Sequence, residues 1–421
     1  MALVFFQTFG CQMNVADTDE FRRKIVSQGY KETAKIQEAD LVIVNTCSVR
    51  ENAEKKAIAR ITEFAKLKKN SAQLWVTGCM AQRLGENLKK QIPGVNLVIG
   101  AKEIDKYDEI INQYLPLAED YDTEHIGIKT EVSDFISIMR GCDNHCAYCI
   151  VPYVRGNEIS ISSDLICESV KSKMTEGIKE ITLLGQNVNS YNDNGIDFSD
   201  LLVRLSSVHG IERIRFTTSH PKDCSEKLIR TIAETPSLCH HIHLPLQAGS
   251  DRVLSVMNRK YSSKDYLNRI EMIHKYIPDA DITTDLLVGF PSETDEEFEE
   301  TLRIVKEVQY TTAFMFAYSV REGTVAAKFV DDVPQKKKLE RLGRLIELQT
   351  EITRNIYNSM IGKEIEVMIS GRQDKHDMLW MGQDNGCKRV LVNGDSLQLG
   401  KVLKAQVIRS SGKTLIVNYS D

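Results

Sequence analysis

A chain of 421 residues, 42% hydrophobic and 27% charged, has room for two or three domains and is too ordinary in composition to be disordered, collagen-like or of low complexity. Its 54 basic and 59 acidic side chains leave a net charge of −5, which excludes a globally basic nucleic-acid binder. Residues 334–421 nevertheless carry 15 basic and 10 acidic side chains, so an anionic partner is expected to meet the C-terminal part.

The first stretch, Met1 to Gly10, has no basic region before its short apolar run and reads as a strand rather than a signal peptide. No apolar run reaches the roughly 20 residues of a membrane span. A cytoplasmic protein with no membrane segment is therefore expected. Strands at Leu3–Thr8, Leu41–Asn45, Gln73–Thr77 and Asn96–Ile99 alternate with helices at Asp17–Gln28, Glu51–Lys68, Ala81–Gln91 and Ile104–Tyr114. Asp17 and Glu20 fit a capping box at the first of these helices. The alternation predicts an α/β domain, a doubly wound parallel sheet with helices on both faces.

Pro116–Glu131 is polar and acid-rich and reads as a linker. A second βα series follows, with strands at Phe135–Met139, Glu180–Leu184, Arg213–Thr217, His241–Leu244, Ile282–Leu287 and Ala313–Ala317. Six units predict a partial (β/α)6 barrel with its site at the C-terminal strand ends. Pro334 opens a long helix to about Met360, with Leu339, Leu342, Leu345, Ile346, Ile352 and Ile356 as its apolar face. The remainder is β-rich and punctuated by glycines, which predicts a small β-barrel of about five strands. The expected boundaries are 1–117, a linker at 118–132, 133–361 and 362–421.

Ten cysteines in a long cytosolic chain point to metal binding or catalysis rather than to disulfides. Cys142, Cys146 and Cys149 form CxxxCxxC directly after the first barrel strand. Three thiolates in eight residues can wrap one face of an iron–sulfur cube, and the fourth iron is left for an exogenous ligand. The methionyl amine and carboxylate of S-adenosylmethionine (SAM) suit that iron, and an electron from the cube can then cleave the sulfonium. The competing reading is zinc on Cys146, Cys149 and His145, although no second Cys/His pair lies nearby at finger spacing.

Cys11, Cys47 and Cys79 each follow the C-terminal end of a predicted strand, about one βα crossover apart. Parallel strands align those ends, so three thiols distant in sequence would converge on one edge as a second cluster site. Taken singly, each would read as a buried apolar cysteine. Cys167, Cys224, Cys239 and Cys387 share no spacing and read as structural. His241 and His243 would face the same side of their strand and His240 the other, as polar barrel residues rather than a metal site.

These motifs resemble the radical-SAM methylthiotransferases, over nearly the whole chain. Phe9-Gly10-Cys11-Gln12-Met13-Asn14, Asn45-Thr46-Cys47-Ser48-Val49-Arg50-Glu51, Thr77-Gly78-Cys79-Met80-Ala81-Gln82 and Gly141-Cys142-Asp143-Asn144-His145-Cys146-Ala147-Tyr148-Cys149 are most similar to the MiaB-type branch. The sister branches typically carry Pro-Lys-Asn or Lys-Val-Asn after the first cysteine, where this chain has Gln12-Met13-Asn14. The resemblance implies two [4Fe–4S] clusters, SAM, and a C-terminal TRAM domain that binds RNA. It implies a methylthio group inserted at C2 of N6-isopentenyl-adenosine in tRNA, beside the anticodon. The sister targets, threonylcarbamoyl-adenosine tRNA or a ribosomal-protein aspartate, are the alternative. A non-catalytic iron–sulfur or zinc RNA-binding redox sensor is the alternative from another class. The reductant and the sulfur donor stay unidentified, and the chain is expected to act as a monomer.

Strand-end placement makes Gln186, Asn187, Ser219, Gln247, Asp285, Tyr318 and Arg321 candidates for holding SAM, with Tyr148 packing on the adenine or closing the loop. His220, next to Ser219, belongs with them. Phosphate contact needs cations, and Arg372, Lys388, Arg389 and Arg409 are the candidates for RNA. Lys336, Lys337 and Lys338 could add to them, or form an ordinary solvated helix start.

Overall fold

The computed structural model describes residues 2–48, 51–115, 132–372, 379–394 and 397–419. The expected linker, Pro116–Glu131, lies outside the described residues. The N-terminal unit runs β1 (Leu3–Thr8), α1 (Gln12–Val26), β2 (Lys31–Glu32), β3 (Leu41–Thr46), α2 (Glu51–Leu67), β4 (Gln73–Gly78), α3 (Cys79–Leu84), α4 (Asn87–Gln91), β5 (Leu97–Gly100) and α5 (Tyr107–Tyr114). Its parallel strands lie in the order β2-β1-β3-β4-β5. The short edge strand β2, unread in the sequence, makes the order reverse beside β1. Right-handed crossovers on either side of that reversal send helices to opposite faces. Val42, Val44, Leu74 and Val76 accordingly pack under α2 and α3, whereas Leu41, Ile43 and Trp75 pack under α1 and α5.

Two expectations are corrected here. Helix α1 starts at Gln12, five residues before the expected capping box, and Asp17 is a buried mid-helix residue. The expected helix Ala81–Gln91 is two short helices broken at Gly85, which has φ +53.

The central unit contains β6 (Ser133–Ser137), α6 (Val151–Arg155), α7 (Ser163–Thr175), β7 (Glu180–Leu184), α8 (Phe198–Ser206), β8 (Arg213–Thr217), α9 (Glu226–Glu234), β9 (His241–His243), α10 (Asp251–Val256), α11 (Ser263–Tyr276), β10 (Asp281–Val288), α12 (Asp295–Val308), β11 (Thr312–Ala317) and α13 (Gln335–Ser359). The six strands are parallel and follow sequence order. They form two three-stranded sheets joined by a bridge between Ile214 and Leu238, an open (β/α)6 barrel. A small ribbon, Met139–Arg140 with Ile159–Ser160, leads into and out of the cysteine loop.

Helix α13 differs from its expected amphipathic reading. Leu339 and Ile346 are exposed, while Lys338, Arg341, Gln349 and Thr353 are buried with Leu345 and Ile352. The buried cations are paired. Lys338 Nζ lies 2.6 Å from Asp331, and Arg341 donates to Glu293 at 2.8 Å. Lys338 is therefore no part of an exposed basic run.

The C-terminal unit is a closed five-stranded barrel of β12 (Glu364–Arg372), β13 (Leu379–Asp384), β14 (Arg389–Asn393), β15 (Val402–Ser410) and β16 (Leu415–Asn418). Its β13–β14 hairpin tip is inserted into the floor of the central barrel, at the N-terminal strand ends. Arg213 donates to the Gln383 carbonyl at 2.8 Å, and Arg215 to the carbonyls of Asp384 at 2.7 Å and of Gly386. Among the described residues no helix is long and apolar enough to cross a membrane.

Candidate active site

The first cysteine triad lies at the C-terminal edge of the N-terminal sheet. Cys11 caps α1 just after β1, Cys47 follows β3, and Cys79 opens α3 directly after β4. Pairing of Thr8 with Asn45, and of Asn45 with Thr77, aligns the three strand ends. Gly10, at φ +120, lies so close to Cys47 that a side chain there would meet its Cβ and Sγ. Cys47 and Cys79 are buried and Cys11 is exposed. Asn14 buttresses it, with Nδ2 donating to the Phe9 carbonyl at 2.8 Å and its own carbonyl accepting from Asn45 Nδ2 at 2.9 Å.

The second triad occupies the loop between β6 and α6. Gly141, at φ +76, turns the chain, and a methyl group there would collide with the Asn157 carbonyl. The loop is pinned by Cys142 N to Gly156 O (3.2 Å), Ala147 N to Met257 O (2.9 Å) and Ala326 N to Ala147 O (2.7 Å). Arg259 donates to Cys146 Sγ at 3.2 Å, a contact that the sequence reading missed. The basic and aromatic run Arg259-Lys260-Tyr261 was its only sequence signal. Burial pushes the Cys149 thiol up to about 12, the neighbouring Cys146 adds to the rise, and the Val151 amide opposes it. Gly141→Ala is expected to cost about 1–2 kcal/mol from backbone conformation alone, with the carbonyl collision added. Iron analysis of anaerobically loaded protein should show the loss of about one cluster, and full retention would contradict this account of the loop.

Among the described residues, no three His, Cys, Asp or Glu side chains are gathered closely enough to hold a single ion.

The strand-end loops that should hold SAM are joined to one another. Val188 N donates to Thr218 O at 2.9 Å, and Asn189 exchanges hydrogen bonds with the His220 backbone at 2.9 and 3.0 Å. Four buried polar atoms in these loops have no partner: Gln186 Oε1, Asn187 Oδ1, Ser219 Oγ and His220 Nε2. Such atoms are costly unless something binds them. Burial, reinforced by Arg259 and Lys222, lowers the His220 imidazole to about 2, so it is neutral. Gln247 adopts a left-handed φ of 71°, and its amide donates to Asp285 O at 2.9 Å. Asp285 Oδ2 lies 3.4 Å from His243 Nε2, inside the barrel. His243 and His241 share the Thr283 hydroxyl at 3.0 and 2.9 Å, the polar barrel role expected for them.

Tyr148 packs edge-on against Phe290. The Tyr318 hydroxyl donates to the Ala326 carbonyl, beneath the cysteine loop. Arg321 lies in the loop after β11 and is half-buried.

On the C-terminal barrel, Arg372, Arg389 and Arg409 are exposed, Arg372 over the Trp380 ring. Lys388 is a correction. It is buried, and its ammonium lies 2.6 Å from Asp281 and 3.5 Å from Asp384, at the floor of the central barrel. Its charge is neutralised within the chain rather than offered to phosphate.

Residues 3–100 match a family model described as uncharacterized protein family UPF0004, and residues 136–305 match the radical SAM superfamily. A tRNA-2-methylthio-N(6)-dimethylallyladenosine synthase of Acetivibrio thermocellus is 42% identical over 96% of this chain and 88% of its own length. The chain belongs to this synthase family. Members from Clostridium botulinum and Protochlamydia amoebophila are 41% and 38% identical, each over 98% of this chain and 95% of their own. Among solved structures, the chain is similar to the radical S-adenosylmethionine methyltransferase TsrM from Kitasatospora setae, with TM-score 0.56, 12% identity and 75% of each chain covered. It is also similar to the cobalamin-dependent radical enzyme OxsB, with TM-score 0.53, 11% identity, and 81% of this chain and 56% of that one covered. At such identities the likeness is one of fold. The radical-SAM domain makes the chain an enzyme that uses SAM and a [4Fe–4S] cluster. The donor set fits those cofactors: three loop cysteines, and unpartnered polar atoms at the neighbouring strand ends.

Proposed function

We propose that this enzyme inserts a methylthio group at C2 of N6-isopentenyl-adenosine in tRNA, beside the anticodon. One observation carries the reading. Two cysteine triads lie at the strand ends of two sheets and meet through a shared apolar contact of Cys79 with Ile150 and Val154. They do so in a chain that matches the synthases over nearly its whole length. Cys142, Cys146 and Cys149 would hold the SAM-binding cluster, and Cys11, Cys47 and Cys79 a second [4Fe–4S] cluster.

When bound, the first cluster supplies the electron that cleaves the SAM sulfonium. This chain's residues do the rest by placement. Gln186, Asn187 and Ser219 offer their unpartnered oxygens to the polar methionyl end of SAM. Gln247 and Asp285 line the next strand ends, and Tyr148, Tyr318 and Arg321 border the loop. His220, neutral and buried, borders the same loops. The exposed Arg372, Arg389 and Arg409 would meet the tRNA backbone. We read the working unit as a cytoplasmic monomer with boundaries near 117, 132 and 361.

The test is nucleoside mass spectrometry. Isopentenylated, unthiolated tRNA is incubated anaerobically with the cluster-loaded enzyme, SAM and a reductant, then digested. The 2-methylthio nucleoside is expected. If 5′-deoxyadenosine forms without it, the substrate assignment fails and the sister targets take its place.

A further inference from the structure

Asp17, misread in the sequence as part of a cap, lies between the two triads. It follows Cys11 by six residues on α1, and its side chain is only 4% exposed. Its Oδ1 accepts from Arg140 at 2.8 Å, and its Oδ2 accepts from Arg155 at 2.8 Å. Arg140 precedes Cys142 by two residues, and Arg155 ends the helix that follows Cys149. One carboxylate of the first domain thus grips both ends of the cysteine loop of the second. Arg155 also donates to Asn14 Oδ1 at 3.0 Å, and its charge opposes the rise that burial gives the Cys79 thiol. Arg140 reaches the partly exposed Glu20 at 3.0 Å, so two carboxylates balance two guanidiniums.

We propose that Asp17, held between Arg140 and Arg155, is a positioning residue that fixes the separation and register of the two cysteine triads. The proposal rests on the reading that both triads carry clusters. Apolar packing of Cys79 and Ala101 on Ile150 and Val154 already joins the domains. A buried ion pair adds little net stability over such packing, and its best-attested use is registry. Guanidinium forks supply the direction that apolar contacts lack. Chemistry divided between two sites needs that direction, because a misplacement of about 1 Å can cost around a hundredfold in rate.

The experiment uses cluster-loaded full-length enzyme and the variant Asp17→Asn. Three quantities are read: iron per chain, dipolar broadening between the two reduced clusters by electron paramagnetic resonance, and 5′-deoxyadenosine formed per methylthio nucleoside. The variant should keep its iron and its SAM cleavage within about twofold. Its broadening should change measurably, and its deoxyadenosine-to-product ratio should rise at least about tenfold. A residue that merely stabilised the fold would lower iron and cleavage together and leave that ratio alone. Wild-type broadening that Asp17→Asn leaves unchanged, with an unchanged ratio, overturns the proposal. If Asp17→Asn does not fold, Glu20→Gln decides. It removes only the outer arm and should raise the ratio by about twofold to threefold, and no rise overturns the proposal. A wild-type enzyme with one cluster removes the two-cluster reading, and the proposal with it.

Discussion

Replacing Cys142 with alanine is expected to abolish 5′-deoxyadenosine formation, whereas replacing Cys47 should leave it nearly intact and abolish the methylthio product. The two thiols belong to different sheets. Cys142 begins the loop that Arg259, Met257 and Ala326 pin beneath the central barrel's mouth. Cys47 lies at the end of β3 beside Gly10, on the N-terminal sheet. Partners one shell removed from a metal already cost 10–100-fold when lost. Loss of a direct ligand should therefore lower SAM cleavage by more than about a hundredfold for Cys142→Ala. Cys47→Ala should keep cleavage within about threefold while losing product more than about a hundredfold. Anaerobic assays with both products quantified decide the matter. Equal loss of cleavage in two folded variants would show that the triads do not have separate roles.

The second large effect lies at the opposite end of the barrel. Asp281 is buried at the start of β10 with Lys388, Thr311 and the Cys387 amide around it. Burial alone would raise its carboxyl, but the Lys388 ammonium and these hydrogen bonds outweigh burial and hold it below its ordinary value. Lys388→Met leaves that carboxylate buried without its cation, and about 3–5 kcal/mol of stability should be lost at pH 7. In the parent, the stabilisation from a depressed carboxyl is present above the unfolded value and is lost as pH falls through the folded one. In the variant, burial is opposed only by the Thr311 and Cys387 hydrogen bonds and the carboxyl rises, so protonation relieves the penalty as pH falls. The gap between the two proteins must therefore narrow toward low pH. Urea denaturation at neutral and mildly acidic pH checks this, and a small or pH-independent gap would contradict it. Adding Asp281→Asn to Lys388→Met should recover about half of the loss.

Much of this architecture was legible because burial on both faces writes continuous apolar strands. Glu180–Leu184 and Arg213–Thr217 were read to the residue, and Cys11, Cys47 and Cys79 do lie at strand ends as their spacing predicts. The failures share a cause. Asp17, Lys338, Arg341 and Lys388 carry charge, and a sequence pattern assigns charge to solvent. Their partners are Arg155, Asp331, Glu293 and Asp281, and all but Asp331 are far away in sequence. Arg259 was missed for the same reason, since its thiol partner lies 113 residues earlier. The unpartnered atoms of Gln186, Asn187 and Ser219 stand on the residues that strand-end reasoning had chosen.

The inserted hairpin also orders events during synthesis. Arg215 and the Gly386 carbonyl that it meets are 171 residues apart. At about 5–20 residues per second, the ribosome delivers the second roughly 10–30 s after the first. Through that interval Arg215 has Glu180 beside it but lacks these carbonyls, and Asp281, once synthesised, waits for Lys388. The central barrel thus emerges from the ribosome complete in strands but not in charge pairing, and its last polar partners come with the final turns of translation. A chain cut between α13 and β12 would keep every barrel strand and still expose that unfinished floor to proteases and chaperones.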